Sequence, residues 1–338
     1  MQEATVGPEG SVVVTGGAGF LGGVVVQQLL ARGVTDIRVV DLVPARQAGV
    51  DSAGGKVRYY QRDLRSGALE QPFDGARSVL HLAACQYHTP VARNTYELPF
   101  FEINVGATRR VLTAAKRGGA RHLVFVSTNM VYGLPRALPL NERHPLAPFG
   151  PYGQSKLEAE RLVGEARGPA FGTAIVRPGL IVGPGRTGVV ERVFGWIRNN
   201  RPIVMIGDAN NRYEVMHVED VASLVIAASV HQANDAYNCA SLSVPTMREW
   251  IEAVKKVAGS RSIIIGVPGG VVKPVLALLE RVRLAPLRKD QYLIADVDYF
   301  MDASLAKKDL DWSPRYTGRD AILDTYRWHV ETSPAGQA

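Results

Sequence analysis

Short apolar runs alternate with longer amphipathic stretches through the first half of the chain. Residues 12–15, 37–41, 57–60, 79–83, 123–127 and 174–177 are rich in valine, isoleucine and leucine and lack strict polar alternation. That is the pattern of strands covered on both faces, as in a parallel sheet. Residues 21–31, 104–117 and 152–166, between them, read as helices. Alternating strand and helix predicts an α/β fold, a doubly wound parallel sheet. After about residue 182 the rhythm changes. Gly183-Pro184-Gly185 breaks the chain, and helix-like segments at 189–199, 221–229, 247–258 and 271–282 follow, separated by short strands and loops. We read residues 1–182 as the sheet domain, with a return of the chain near 213–240. Residues 183–338 then form a smaller mixed C-terminal lobe laid over the sheet's carboxyl edge.

The chain has 338 residues, 46% hydrophobic and 21% charged, enough to build a sizeable core without disulfides. Cys85 and Cys239 are far apart and in no metal-ligand spacing, so no metal is expected and both read as buried thiols in a reducing, cytoplasmic setting. Residues 1–10 are polar, so no secretory leader is expected. The most apolar region, 264–287, is interrupted by Lys273, Glu280, Arg281 and Arg283, which argues against a membrane span. The net charge of +7 is scattered, with no basic-aromatic stripe, so nucleic acid is not an expected partner. A phosphate-bearing small molecule is compatible with it.

The sequence Ser11-Val-Val-Val-Thr-Gly-Gly-Ala-Gly-Phe-Leu-Gly22 runs from an expected strand into an expected helix. Gly16 permits a tight turn, Gly19 lets backbone approach a pyrophosphate, and Gly22 lets the helix pack against the sheet. Phe20 and Leu21 would open the helix, whose N-terminal N–H groups suit phosphate. Asp41 ends the second strand about 20 residues on, where a carboxylate can bind an adenosine ribose diol and repel a 2′-phosphate. The expected cofactor is therefore NAD rather than NADP, with Arg46 the residue that argues the other way. A strand-end aspartate that only starts a turn is the plain alternative.

Pro151-Tyr-Gly-Gln-Ser-Lys156 places Tyr152 and Lys156 four apart, on one helix face. A tyrosine ordinarily titrates near 10. A nearby ammonium favours the phenolate, so Tyr152 could exchange a proton with a substrate hydroxyl while hydride leaves the same carbon. Read alone, this is equally a surface helix carrying an incidental tyrosine and lysine. Its position downstream of the glycine loop changes that balance.

In this order and separation, the two motifs resemble those of the short-chain dehydrogenase/reductase superfamily. Thr15-Gly-Gly-Ala-Gly-Phe-Leu-Gly22, the chain length and the second lobe resemble its extended branch, the NAD-dependent epimerase/dehydratase family, from Val12 to about Trp328. The resemblance implies a Rossmann domain and several site residues. Asp63 and Leu64 would contact adenine, and Leu82, Ala83 and Ala84 would line the cofactor. Asn104 would open the helix beside the site. Thr128 would be the catalytic hydroxyl beside Tyr152 and Lys156. His81 and His217 read as packing or capping residues. Gln86, Tyr87, His88 and Asn129 are candidate substrate contacts, since they directly follow the fourth and fifth strands. The resemblance also implies a homodimer, paired through the helices near 104–117 and 152–166.

Departures from the family narrow the chemistry. Sugar-nucleotide 4,6-dehydratases carry Asp-Glu after the catalytic threonine, whereas this chain has Asn129 and Met130. Neither can act as acid or base, so dehydration by that route is not expected, and Met130 also argues against uronate decarboxylation. Leu180 stands where sugar-nucleotide members place an asparagine, and resembles the hydroxysteroid and dihydroflavonol branches instead. Arg212 matches the arginine that sugar-nucleotide members aim at phosphates. The leading expectation is an epimerase of a nucleoside-diphosphate sugar. The alternative is a dehydrogenase or ketoreductase of a hydroxysteroid-like, flavonoid-like or other apolar alcohol. A non-catalytic NAD-binding module comes last, because Thr128, Tyr152 and Lys156 are all present.

Overall fold

The computed structural model describes residues 10–44, 53–86, 98–186, 188–281, 284 and 287–332. In chain order its strands are β1 Ser11–Thr15, β2 Ile37–Asp41, β3 Val57–Gln61, β4 Ala76–His81, β5 His122–Val126, β6 Gly172–Pro178, β7 Leu180–Val182, β8 Ile203–Ile206, β9 Val215–His217, β10 Ala236–Cys239 and β11 Ile264–Val267. Seven of them form one parallel sheet in the order β10-β6-β5-β4-β1-β2-β3.

Both faces of the sheet are covered, which is why its strands are apolar without alternation. Helices Phe20–Ala31 and Val218–Val230 cover one face through Val25, Val26, Leu29, Val221, Leu224 and Val225. Helices Thr108–Arg117 and Pro151–Ala166 cover the other through Val111, Ala115, Ala159 and Val163. Each valine or leucine among them contributes about 1.5–3 kcal/mol when fully buried. The winding direction reverses at β1, which lies between β4 and β2. A crevice therefore opens at the carboxyl ends of β1 and β4.

The second lobe has its own core. Phe194, Ile197, Trp250, Ile251, Ile322 and Tyr326 pack together beneath the β7–β9 and β8–β11 pairs. Helix Met247–Ala258 starts at a capping box between Thr246 and Glu249 and stops at Gly259, whose φ of 62° lies in the left-handed region. A further cluster of Tyr132, Leu140, Ile294, Tyr299 and Met301 joins the segment after β5 to the C-terminal chain. Among the described residues, no helix is long and apolar enough to cross a membrane.

Two elements differ from the sequence reading. The fourth strand was expected over 79–83 but spans Ala76–His81. Leu82 and Ala83 lie beyond it, although the Leu82 N–H still donates to the Thr15 carbonyl at 3.1 Å. The helix expected over 104–117 begins as a π-helical stretch, Glu102–Ala107, before turning α-helical at Thr108–Arg117. Such widened turns are frequent at functional sites, and this one holds Asn104.

Candidate active site

Gly16 has φ +73°, in the left-handed region, and faces the chain after β4. A Cβ on Gly16 would fall 2.7 Å from the Ala83 nitrogen, and one on Gly22 would fall 2.1 Å from the Gly16 carbonyl oxygen. The loop therefore closes against Leu82–Ala83 only because both positions lack side chains. Gly19 caps helix Phe20–Ala31 with no side-chain hydrogen bond, leaving N–H donors for an anion. Asp41 accepts hydrogen bonds from the Ala18 N–H at 3.0 Å and the Val43 N–H at 3.2 Å, which fixes its carboxylate beside the loop. A cradle that a Cβ would fill, with a carboxylate at its rim, fits the diphosphate and adenosine ribose of NAD. Leu64 is buried, and Arg65 clamps the Asp63 carboxylate at 2.7 Å, which with its backbone N–H holds that carboxyl below its usual range.

Tyr152, in the first turn of helix Pro151–Ala166, is 7% exposed and packs with Cys85 and Phe100. Burial pushes its phenol up to about 12. The positive charge of Arg186 and a hydrogen bond with Thr128 act in the opposite direction, while Cys85 adds slightly to the rise. Lys156 is 1% exposed; its Nζ donates to the Val126 carbonyl at 2.7 Å and lies 4.0 Å from the Phe125 ring centre. Burial pushes this ammonium down to about 7, against the pull of Glu160. Arg186 is thus a cation acting on Tyr152 that the motif did not predict, while the Lys156 Nζ is engaged by the Val126 carbonyl at the end of β5. Arg186 also sits over Phe20, 5.5 Å from the ring centre, between the glycine loop and Tyr152. Sequence reasoning passed it over; its one signal was its place directly after the Gly183-Pro184-Gly185 break.

Asn104 binds three elements together. Its Oδ1 accepts from the Cys85 N–H at 2.8 Å, and its Nδ2 donates to the Cys85 carbonyl at 3.2 Å and the Ser155 Oγ at 2.9 Å. The Ser155 hydroxyl donates to the Tyr152 carbonyl at 2.8 Å. Both ring nitrogens of His81 are taken up by threonine hydroxyls. Since the Thr108 hydroxyl donates to the Asn104 carbonyl at 2.7 Å, it accepts from His81 Nε2 at 2.9 Å, and His81 Nδ1 accepts from Thr15 at 2.6 Å. Burial pushes the imidazole down to about 3, so it stays neutral. Arg177 is held by Glu160 through two hydrogen bonds of 3.0 and 2.7 Å. His217 caps helix Val218–Val230 by accepting from the Glu219 N–H at 3.2 Å and stacks on Tyr316.

Some polar atoms at the carboxyl end of β5 are unspent. Ser127 Oγ and Asn129 Nδ2 are buried without a hydrogen-bond partner among the described residues, and they flank Thr128. In a native fold such atoms mark a place where a ligand or water completes the bonding. Gln86 is half-buried at the end of the chain that follows β4, while Tyr87, His88 and Arg46 lie outside the described residues. Arg212 is 47% exposed; it pairs with Asp298 at 3.5 Å and lies 4.1 Å from the Phe300 ring centre. Its pairing is with the C-terminal chain, not with the Tyr152 cluster. No group of three metal-binding side chains occurs among the described residues.

Residues 12–240 match the NAD dependent epimerase/dehydratase family. The chain belongs to that family. Its members are NAD-dependent enzymes of the extended short-chain dehydrogenase/reductase type. The chain is 32% identical over 322 residues to the uncharacterized protein y4nG of Sinorhizobium fredii, covering 94% of this chain and 78% of that one. It is 27% identical over 345 residues to the UDP-glucose 4-epimerase of Streptomyces lividans, covering 95% and 96%. Among solved structures, MoeE5 in complex with UDP-glucuronic acid and NAD superposes with a TM-score of 0.76 at 25% identity, covering 96% of this chain and all of that one.

Proposed function

We propose that this epimerase/dehydratase family member is an NAD-dependent epimerase of a nucleoside-diphosphate sugar. The observation that carries the reading is the pairing of Thr128 with Tyr152, flanked by the unspent Ser127 Oγ and Asn129 Nδ2, at the same sheet edge as the glycine cradle. Unspent polar atoms favour a substrate with several hydroxyls over an apolar alcohol. Tyr152 Oη takes the proton of a ring hydroxyl, with Thr128 hydrogen-bonded to the reacting oxygen and Arg186 stabilising the phenolate. When bound, NAD would supply the hydride acceptor and donor for that carbon. The ketone turns within the site between the two transfers, Tyr152 returns its proton, and no net oxidation results. Asn129 and Met130 offer no acid or base for water elimination.

Gly16, Gly19, Phe20, Leu21, Gly22, Asp41, Asp63, Leu64, Leu82, Ala83 and Ala84 would hold NAD, together with Tyr152 and Lys156. Gln86 and Asn129 would contact the substrate. Arg212 would meet the diphosphate. Its present ion pair is exposed and of a kind worth only about 0–1 kcal/mol, so exchanging Asp298 for a phosphate costs little. A homodimer through helices Thr108–Arg117 and Pro151–Ala166, working in the cytoplasm, completes the proposal; light scattering that finds only monomer would remove the dimer.

The test is incubation of the purified protein with UDP-glucose, without added cofactor, followed by NMR. Inversion at one ring carbon without accumulating NADH is the expected result. Stoichiometric NADH would move the assignment to a dehydrogenase. Leu180 and the exposed Val271, Val275 and Leu278 of helix Gly269–Arg281 favour that second reading, with an apolar alcohol as substrate.

A further inference from the structure

Asp290 is a charged residue in a place where charge is costly. It is 2% exposed, and neither carboxylate oxygen has a hydrogen-bond partner among the described residues. Burial pushes its pKa up to about 6; the backbone N–H groups of Asp290 and Gln291 act weakly the other way, from outside hydrogen-bond geometry. It lines a small cavity with Met130, Gly150, Gly153, Ile294 and Tyr299. Tyr299 is the only other titratable side chain there among the described residues, and burial keeps its phenol neutral.

Three contacts tie this cavity to the Tyr152 site. Met130 packs against the cluster of Cys85, Phe100 and Tyr152 and also forms part of the cavity wall. A Cβ on Gly153, the residue after Tyr152, would fall 2.9 Å from the Met130 carbonyl oxygen. A Cβ on Gly150 would fall 2.3 Å from Asp290 Oδ2, so the turn that delivers Tyr152 leaves room for this carboxylate. Nor is Asp290 loosely held. The Lys289 N–H and the Tyr292 hydroxyl both donate to Glu280 at 3.2 Å, and the Arg288 N–H donates to Gln291 Oε1 at 3.0 Å. A rigid segment thus keeps an unpaired carboxylate beside the turn that leads into the helix of Tyr152, an arrangement that lowers stability unless a ligand group or a water completes it.

We propose that Asp290 is a substrate-recognition residue, whose carboxylate accepts a hydrogen bond from a hydroxyl or ammonium group of the sugar and disfavours a substrate carrying a carboxylate at that place. This rests on the sugar-nucleotide reading above and deepens it. The substrate class it selects is a neutral or amino hexose rather than a uronate.

The experiment compares wild type with Asp290→Asn, each as the NAD-loaded enzyme, on UDP-glucose and UDP-glucuronic acid. Asparagine keeps the shape and removes the charge. The expected result is a ten- to hundredfold rise in KM for UDP-glucose, the scale of one hydrogen bond to a charged group. The preference for UDP-glucose over UDP-glucuronic acid should narrow, with NAD retention unchanged. A melting temperature at pH 8 equal to or above that of wild type is expected too, because an unpaired buried charge has gone. If the carboxylate merely anchors the helix of Tyr152, the variant will melt earlier or be insoluble and the KM ratio will not move; either outcome overturns the proposal. A wild type that turns over neither sugar overturns the epimerase reading and this inference with it. An active wild type whose substrate preference survives the substitution overturns this inference alone.

Discussion

The Lys156 ammonium donates to the Val126 carbonyl oxygen at 2.7 Å from a position only 1% exposed. Because burial pulls its pKa from 10.5 to about 7, the unfolded chain binds more protons than the folded one between those values. Stability therefore climbs as pH rises from about 7 towards 10.5, and is lowest where the buried lysine must carry its charge. Lys156→Met should flatten that slope and raise the melting temperature most at pH 6, while turnover falls about a hundredfold. Melting curves across pH together with an activity assay check both parts. A variant that melts lower at pH 6 would contradict them.

Tyr152→Phe removes the proton-exchanging hydroxyl and little else, since the ring keeps its packing with Cys85 and Phe100. Turnover should fall by about two to four orders of magnitude. Native mass spectrometry should still find NAD on the variant. Loss of cofactor along with activity would mean that the hydroxyl is structural.

Arg186 lowers the Tyr152 phenol pKa against its burial. Taking that charge away with Arg186→Ala should move the rising limb of the pH profile of kcat/KM towards alkaline pH, costing about tenfold at neutral pH for each unit of displacement. Arg186→Lys should restore part of the shift. An unmoved limb would place Arg186 outside the chemistry.

Gly22→Ala introduces a methyl group 2.1 Å from the Gly16 carbonyl oxygen, a backbone atom that cannot swing aside. We expect a loss of about 1–3 kcal/mol in urea unfolding and weaker NAD retention. Gly23→Ala, inside the same helix, where a Cβ meets nothing within 4 Å, is the matched control and should keep NAD retention and gain up to about 1 kcal/mol of stability.

The Arg177–Glu160 pair is buried on both sides, at 5% and 4% side-chain exposure. Arg177→Ala strands the glutamate and should cost about 3–5 kcal/mol. A paired apolar replacement, Arg177→Met with Glu160→Leu, should cost much less. A double variant as unstable as the single one would show that the hydrogen bond Arg177 donates to the Tyr132 hydroxyl, at 3.0 Å, carries the stability instead.

The sheet was legible in the sequence because burial on both faces forces continuous apolar runs, and the order Gly16, Asp41, Thr128, Tyr152, Lys156 was legible because each follows a strand or opens a helix. The direction of a long side chain was not. Four-residue spacing places Lys156 on the face of Tyr152 but does not reveal that its amine reaches back to Val126. Arg186 and Asp290 were hidden for a related reason: both belong to chain beyond the two motifs, and only the fold brings Arg186 to Tyr152 and Asp290 to Gly150, just before it. Helices Ser304–Leu310 and Gly318–Thr332 went unread too, since their apolar faces are short or mixed with polar residues.

β10 is laid down after the chain has already made part of the second lobe, yet it forms the outer edge of the main sheet beside β6. Helix Val218–Val230, which shields one face together with Phe20–Ala31, arrives equally late. A ribosome that has finished only the first 182 residues has therefore produced a sheet with a bare flank. A chain ended at residue 182 would leave the apolar flank of β6 and the face under Val218–Val230 open to water, so the sheet closes only when the later chain returns to it.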